Sequence, residues 1–262
     1  MRYAFLGAGN MAGAIIRALR RQDVQVTAYD VNPSALETLA DCGITPLNSP
    51  GALADTDVLF LAVKPQQAET ALQPLKASLK NAATNPLIIS IMAGISLGKL
   101  SNLLNDTTLP IVRVMPNINA LVGESMSIYC TNANVTTTQL LTAQEALQSF
   151  GDAVEVPESQ FSAASALAGC SPGYTLMYLD ALATAGVKLG LTKQLALRLA
   201  TQSTLGTAML LREDGEHPRT LLDKICSPGG TTIQGIAALQ SHAFEASVEA
   251  AVEASYTKDT QL

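Results

Sequence analysis

The 262-residue chain contains no tryptophan, and only 4% of its residues are aromatic. Its core must therefore be aliphatic, packed from Leu, Ile, Val and Ala. Only two histidines occur, His217 and His242, so a His-rich metal site cannot be built, and no metal is expected. The four cysteines, Cys42, Cys130, Cys170 and Cys226, are scattered, with no CxxC pair. That usage points to a reduced, cytoplasmic protein. Charged residues make up 15%, the formal net charge is −6, and no basic block occurs. Nucleic acid is therefore not an expected partner. No apolar run is long and uncharged enough for a membrane span. The apolar stretch 1–6 is too short for a signal segment and runs straight into a glycine loop.

What is present is a 48% hydrophobic content and a change of pattern midway. The first half alternates strand and helix. Short apolar runs predict strands at 3–6, 24–29, 57–63, 87–92, 110–115, 125–130 and 153–156. The run at 57–63 is continuous, as in a parallel sheet covered on both faces. Helical spacing falls at 10–21, 33–40, 65–79 and 138–150, with Asn32 as N-cap and Pro33 in the first turn of the second. From about residue 158 no strand signal survives. Long Ala- and Leu-rich helical stretches follow at 174–189 and 193–211, then one reaching 222–225 and one from 232. The expected fold is α/β: a Rossmann dinucleotide-binding domain over 1–157, then an all-α domain over 158–262. The helices of the second half have wide apolar faces and no sheet to cover them. Burial against a second copy, giving a homo-oligomer, is the expected solution.

Two glycine loops carry the chemistry. Gly7-Ala8-Gly9-Asn10-Met11-Ala12 follows a strand and opens a helix. The first glycine allows the tight turn, the second lets backbone approach a pyrophosphate, and Ala12 still permits close helix–strand packing. Asp30 stands about 20 residues on, where a ribose-binding carboxylate belongs. It favours a 2′-hydroxyl. Asn32 and Ser34 offer amides that would suit a 2′-phosphate if Asp30 turned away. Further strand ends supply Ala62, Val63, Lys64 and Pro65, then Ala93 and Gly94, then Pro116 and Asn117, all at the edge where doubly wound sheets bind ligands. Asn117 either bonds the cofactor carboxamide or substrate, or simply shapes the turn after Pro116. The second loop, Ser227-Pro228-Gly229-Gly230-Thr231-Thr232, opens onto a helical pattern and is suited to a small carboxylate. Both loops together point to a reductase for a small acidic substrate.

These stretches, with Ala62-Val63-Lys64-Pro65-Gln66 and Arg113-Val114-Met115-Pro116-Asn117 between them, occur in the order found in pyrroline-5-carboxylate reductases, and the chain resembles that family from residue 2 to about 256. The resemblance implies reduction of the C5=N bond of 1-pyrroline-5-carboxylate to L-proline, the last step of proline biosynthesis. It implies NADPH as cofactor, with NADH also possible. It implies dimers that often assemble into decamers, the helical domain interlocking with a second subunit. By that resemblance the Gly230 and Thr231 amides hold the substrate carboxylate. Ser227 shapes the loop, Thr232 faces the ring nitrogen as the catalytic side chain, and the loop reaches the active site from the partner. One departure is Ala168-Gly169-Cys170-Ser171-Pro172-Gly173-Tyr174, where both serines of the family's run are replaced. A second is Ile118-Asn119, where the family has Thr-Pro.

Three other readings compete. A 3-hydroxyacid dehydrogenase needs a Lys and a nearby Asn on its first long helix, and residues 169–186 hold neither. An imine reductase for another cyclic imino acid differs only in pocket shape. A non-catalytic NADPH-binding sensor would need no second loop.

Overall fold

The computed structural model describes every residue except Asp23, Thr84 and Leu262. The chain divides into two compact units. One holds residues 1–170 and the last few residues from Tyr256 on; the other is Ser171–Ser255. The first extends past Pro157, because the helix Phe161–Ala168 buries Phe161 in its core.

In the first unit the strands are β1 (Arg2–Leu6), β2 (Gln25–Tyr29), β3 (Thr45–Pro46), β4 (Val58–Leu61), β5 (Leu87–Ser90), β6 (Ile111–Met115), β7 (Ser125–Thr131) and β8 (Gly151–Glu155). They form one sheet in the order β3-β2-β1-β4-β5-β6-β7-β8. Strands β1 to β6 pair in parallel, β7 runs antiparallel to β6, and β8 is parallel to β7. The helices are α1 (Asn10–Arg20), α2 (Pro33–Glu37), α3 (Ala68–Lys80), α4 (Leu97–Leu104), α5 (Thr137–Gln148) and α6 (Phe161–Ala168).

Continuous apolar strands serve two faces, because successive side chains point to opposite sides. Phe5, Phe60, Ile89 and Val114 pack with Ile15, Ile16 and Leu19 of α1 and Ala143 and Leu147 of α5. Leu6, Leu59, Ile88 and Ile111 face the other way, toward Leu72 and Leu75 of α3, Leu100 of α4 and Phe161 of α6. Phe5 and Phe60 stand opposite each other in the β1–β4 register and stack at 4.6 Å.

Several elements of this unit differ from the sequence expectation; β3 and α6 have no counterpart in it. Helix α2 ends at Glu37, short of residue 40. Helix α4 was not expected; Ser96 caps it by accepting from the Lys99 amide. In the second unit α7 (Ser171–Lys188), α8 (Lys193–Asp214), α9 (Pro218–Ile225) and α10 (Thr231–Ser241) fall close to expectation, and α11 (Phe244–Asp259) follows as a separate helix. The pattern from residue 232 reads as one helix, but Ala243 takes a left-handed conformation and breaks it.

Helices α7 and α8 meet through small residues. Ala183, Ala196 and Ala200 are buried, and a Cβ at Gly186 would lie 2.8 Å from that of Ala196. Their larger apolar residues point outward: Met177 is 79% exposed and Leu189 85%. No described helix is long and apolar enough to cross a membrane.

Candidate active site

A cleft of about 650 Å³ opens at the carboxyl ends of β1, β2 and β4. That is the size range of small-ligand sites, at the edge where such sheets bind them. Of the residues expected from sequence, Gly7, Gly9, Asp30, Asn32, Ala62, Val63 and Lys64 line it.

The glycine loop is set by β1 and β4 together. Gly7 has φ +100°, and its amide donates to the Tyr29 carbonyl at 2.8 Å. A Cβ there would stand 2.7 Å from the Ala62 carbonyl oxygen. No side chain fits between the loop and the end of β4. Gly9 begins α1, and a Cβ on it would meet nothing within 4 Å. Its open side belongs to the cleft. No side chain caps α1, whereas Asn32, Ser96 and Thr136 cap α2, α4 and α5. The first-turn amides of α1 thus have neither an intrahelical acceptor nor a capping one.

The Asp30 carboxylate spans two loops. One oxygen accepts from the Ala8 amide at 2.8 Å, the other from the Asn32 amide at 2.8 Å. Asn32 in turn accepts from the Ser34 amide through its side chain and from the Ala35 amide through its carbonyl. The amides of Asn32 and Ser34, expected as donors for a 2′-phosphate, are therefore spent within the turn.

The rest of the expected set lies outside the cleft lining. Ala8, Asn10, Met11 and Pro65 belong to the same loops but do not line it, nor do Ala93, Gly94 and Pro116. Asn117 is buried, and the structure gives it the turn-shaping role. Its Oδ1 accepts from the Asn119 amide at 3.0 Å, and its Nδ2 donates to the Ala168 carbonyl at 2.9 Å. Its side chain thus shapes the turn and holds the end of α6, with one Nδ2 hydrogen and one Oδ1 lone pair left over. Arg113, two residues before Met115 on the same face of β6, is buried as well. It pairs with Glu158 at 3.2 Å and sits 4.0 Å over the Phe161 ring. Burial, aided by Glu158, pushes the thiol of neighbouring Cys130 up to about 12.

One wall of the cleft was missed from sequence. Pro50, Gln66, Gln67, Thr70, Ala71 and Pro74 line it, from the turn before β4, the turn that follows Lys64, and α3. Pro74 lies inside α3 and has no N–H, so the helix offers the Thr70 carbonyl no donor.

In the second unit, Ser227 to Gly230 forms a turn closed by the Gly230 amide on the Ser227 carbonyl at 3.0 Å. Gly230 was expected to present its amide to a carboxylate; that amide is spent in the turn. A Cβ on Gly230 would lie 2.4 Å from the Ser227 hydroxyl oxygen and 3.1 Å from its carbonyl oxygen, so a side chain there would push the hydroxyl aside. Helix α10 then starts at Thr231 with no capping side chain, and Thr231 and Thr232 are exposed.

Residues 158–262 match the family model described as pyrroline-5-carboxylate reductase dimerisation, and residues 2–94 match that of coenzyme F420-dependent NADP oxidoreductases. Pyrroline-5-carboxylate reductase of a Synechocystis strain is 36% identical over 264 residues, covering 98% of this chain and 96% of that one. Among solved structures, the reductase of Coxiella burnetii superposes with a TM-score of 0.91 at 29% identity, covering 99% and 97% of the two chains. The Plasmodium falciparum enzyme, solved with NADP bound, gives 0.88 at 30% identity, covering 100% and 97%.

Proposed function

Because the chain belongs to the pyrroline-5-carboxylate reductase family, we propose that it reduces the C5=N bond of 1-pyrroline-5-carboxylate to L-proline with a nicotinamide dinucleotide, in the cytoplasm and as a homo-oligomer. The observation that carries this reading is that one chain holds both a dinucleotide cleft, in the first unit, and an uncapped, carboxylate-suited helix start, in the second. NADPH is the cofactor that the similarity implies, and NADH suits the same cleft.

The residues present fit such a group. Gly9 leaves open space where a side chain would intrude, and the uncapped start of α1 favours an anion. Gly7, Gly9, Ala62, Val63 and Lys64 would hold the dinucleotide, and the bound nicotinamide would supply the hydride. The protein's own work is to bind, orient and exclude water. An imine needs less acid assistance than a carbonyl, and positioning alone can contribute up to roughly 7–11 kcal/mol in the best cases.

The Thr231 and Thr232 amides, at the start of α10, hold the substrate carboxylate; Gly230 and Ser227 set the turn that aims them. The Thr232 hydroxyl bonds the ring nitrogen and orients it rather than giving up a proton. Exposed apolar faces on α7 and α8 support assembly with a second copy. Thr232→Ala should keep its fold by circular dichroism. Its turnover should fall by about ten- to a thousand-fold, the cost of losing one oriented donor. A folded, fully active variant removes Thr232 from the mechanism. Turnover of a different cyclic imine in preference to pyrroline-5-carboxylate would replace the substrate.

A further inference from the structure

We propose that Glu158 and Arg113 are positioning residues for the nicotinamide half of the dinucleotide: the pair fixes the Ala93–Gly94 turn relative to β6, on the side of the sheet toward which that half must run. The inference rests on the cofactor reading proposed above and adds the residues that hold its reactive end in place.

The sheet order says where that end lies. The cleft occupies the carboxyl ends of β2, β1 and β4, and β5 and β6 are next in line. An acidic residue at the end of β2 marks the adenosine side of such a sheet, and the start of α1 suits the pyrophosphate. The second nucleoside therefore runs on from β4 toward β5 and β6. There the chain turns at Ala93 and Gly94, between β5 and α4, with Gly94 at φ +71°.

Both sides of that turn are anchored. Before it, Ile91 donates its amide to the Leu61 carbonyl at 3.0 Å. After it, Leu97, the first residue of α4, donates its amide to Glu158 Oε1 at 2.7 Å, across 61 positions of sequence. The same oxygen accepts from Arg113 Nη1 at 3.2 Å. Arg113 stands on β6 opposite Ser90, the last residue of β5, and its guanidinium lies over the ring of Phe161, where α6 begins. One carboxylate oxygen thus ties the start of α4 to β6 and, through Arg113, to the start of α6.

Stability does not account for this pair. Among the described residues Arg113 is the one charged side chain that is buried. Taking a guanidinium out of water is costly, and apolar side chains of similar volume often serve a core as well or better. What they lack is direction. A carboxylate that accepts an orphan helix amide and an arginine at once fixes the distance between the β5–α4 turn and β6. Neither residue lines the cleft, so both act through the backbone they hold.

The test replaces the pair by apolar side chains, Arg113→Met together with Glu158→Leu, and separately makes Glu158→Gln, whose amide oxygen can still accept from Leu97. Calorimetric titration of the assembled protein compares NADPH with 2′-phospho-ADP-ribose, the same molecule without its nicotinamide. In the apolar pair the fragment should bind within about twofold of wild type, while NADPH weakens by about fivefold or more. Turnover at saturating NADPH should fall by about ten- to a hundredfold, the cost of a ring held slightly out of place. Glu158→Gln should show the same split at smaller size, so the answer does not depend on the apolar pair folding. A purely structural role would weaken both ligands alike or neither, and that outcome overturns the proposal. A wild-type protein that binds NADPH but reduces no pyrroline-5-carboxylate overturns the proposed reaction instead, and the two Kd values still decide the role of the pair. Failure of the wild type to bind either nucleotide overturns the cofactor cleft itself.

Discussion

The two units of this chain spend the same kind of residue in opposite ways. In the first, Phe5, Phe60, Leu59 and Ile88 are sealed between sheet and helices. In the second, Leu176, Met177, Leu189 and Leu205 are exposed, and among its described residues only Ala183, Ala196, Ala200 and Leu221 are buried. Apolar area removed from water is the main favourable contribution to folding, at about 25 cal/mol per Å². The first unit collects that contribution alone. The second leaves much of it uncollected, so it calls for another copy to cover its helices. Composition is similar along the chain; whether a sheet divides the apolar residues between two covered faces is not.

Backbone clearance tests the closed side of this contrast most severely. Gly151, at the start of β8, has no room for a methyl group, whose carbon would stand 2.1 Å from the Ser125 carbonyl oxygen. Gly151→Ala should cost about 3 kcal/mol or more, since β7 and β8 must part. Urea denaturation would show it.

A gentler probe of the same core is pH. The buried Cys130 thiol, pushed up to about 12, holds its proton in the folded state while the unfolded thiol ionises near 8.5. This contribution to stability is complete below about pH 8.5 and is lost as pH rises toward 12. The wild type should therefore lose roughly 2 kcal/mol between pH 8 and pH 10 beyond what Cys130→Ala loses over the same range. Equal losses would mean that the thiol is not sealed.

The open unit predicts a dependence on concentration that a self-sufficient monomer would not show. For a dimer that unfolds on dissociation, tenfold dilution lowers stability by about 1.4 kcal/mol. Denaturation midpoints and sedimentation velocity across a dilution series would reveal it, and a constant midpoint with monomeric sedimentation would erase the contrast.

The smallest effect falls on Gly206, inside α8, where a Cβ meets nothing within the chain. Gly206→Ala should add about 0.5–1 kcal/mol by helix propensity. A loss instead would place Gly206 against the second copy.

Much of this architecture could be read from the residues, because it is encoded locally. The strand–loop–helix run around Gly7 and Gly9 and the continuous apolar strands carry their own period and punctuation. Other parts carry none. Strand β3 is a two-residue pairing that includes Pro46, stabilised by its neighbour β2 and not by any pattern of its own. The break at Ala243 has no glycine or proline to announce it. Helix α4 does carry a signal, its Ser96 cap, but it is short and lies between two strong strand patterns. At the site, Gly7, Asp30 and Lys64 were found by their place at strand ends. The wall formed by Pro50, Thr70 and Pro74 was not, since those residues meet only through the packing of a turn against α3. Residue type leaves Asn117 between ligand and turn, and only the resemblance gives the Gly230 amide to the carboxylate; whether the fold has already used a donor depends on tertiary contacts.

Helices α1 and α10 both begin on glycine without a capping side chain, whereas Thr136 and Gln139 close a full capping box on α5. Each bare start has fewer bonds to break when it frays. In the empty protein the first turns of α1 and α10 should exchange their amide hydrogens sooner than that of α5. An anion seated there takes the place of the missing cap. On the proposed reading, order at these two points is conditional on occupancy, and binding completes two helices that the sequence leaves unfinished.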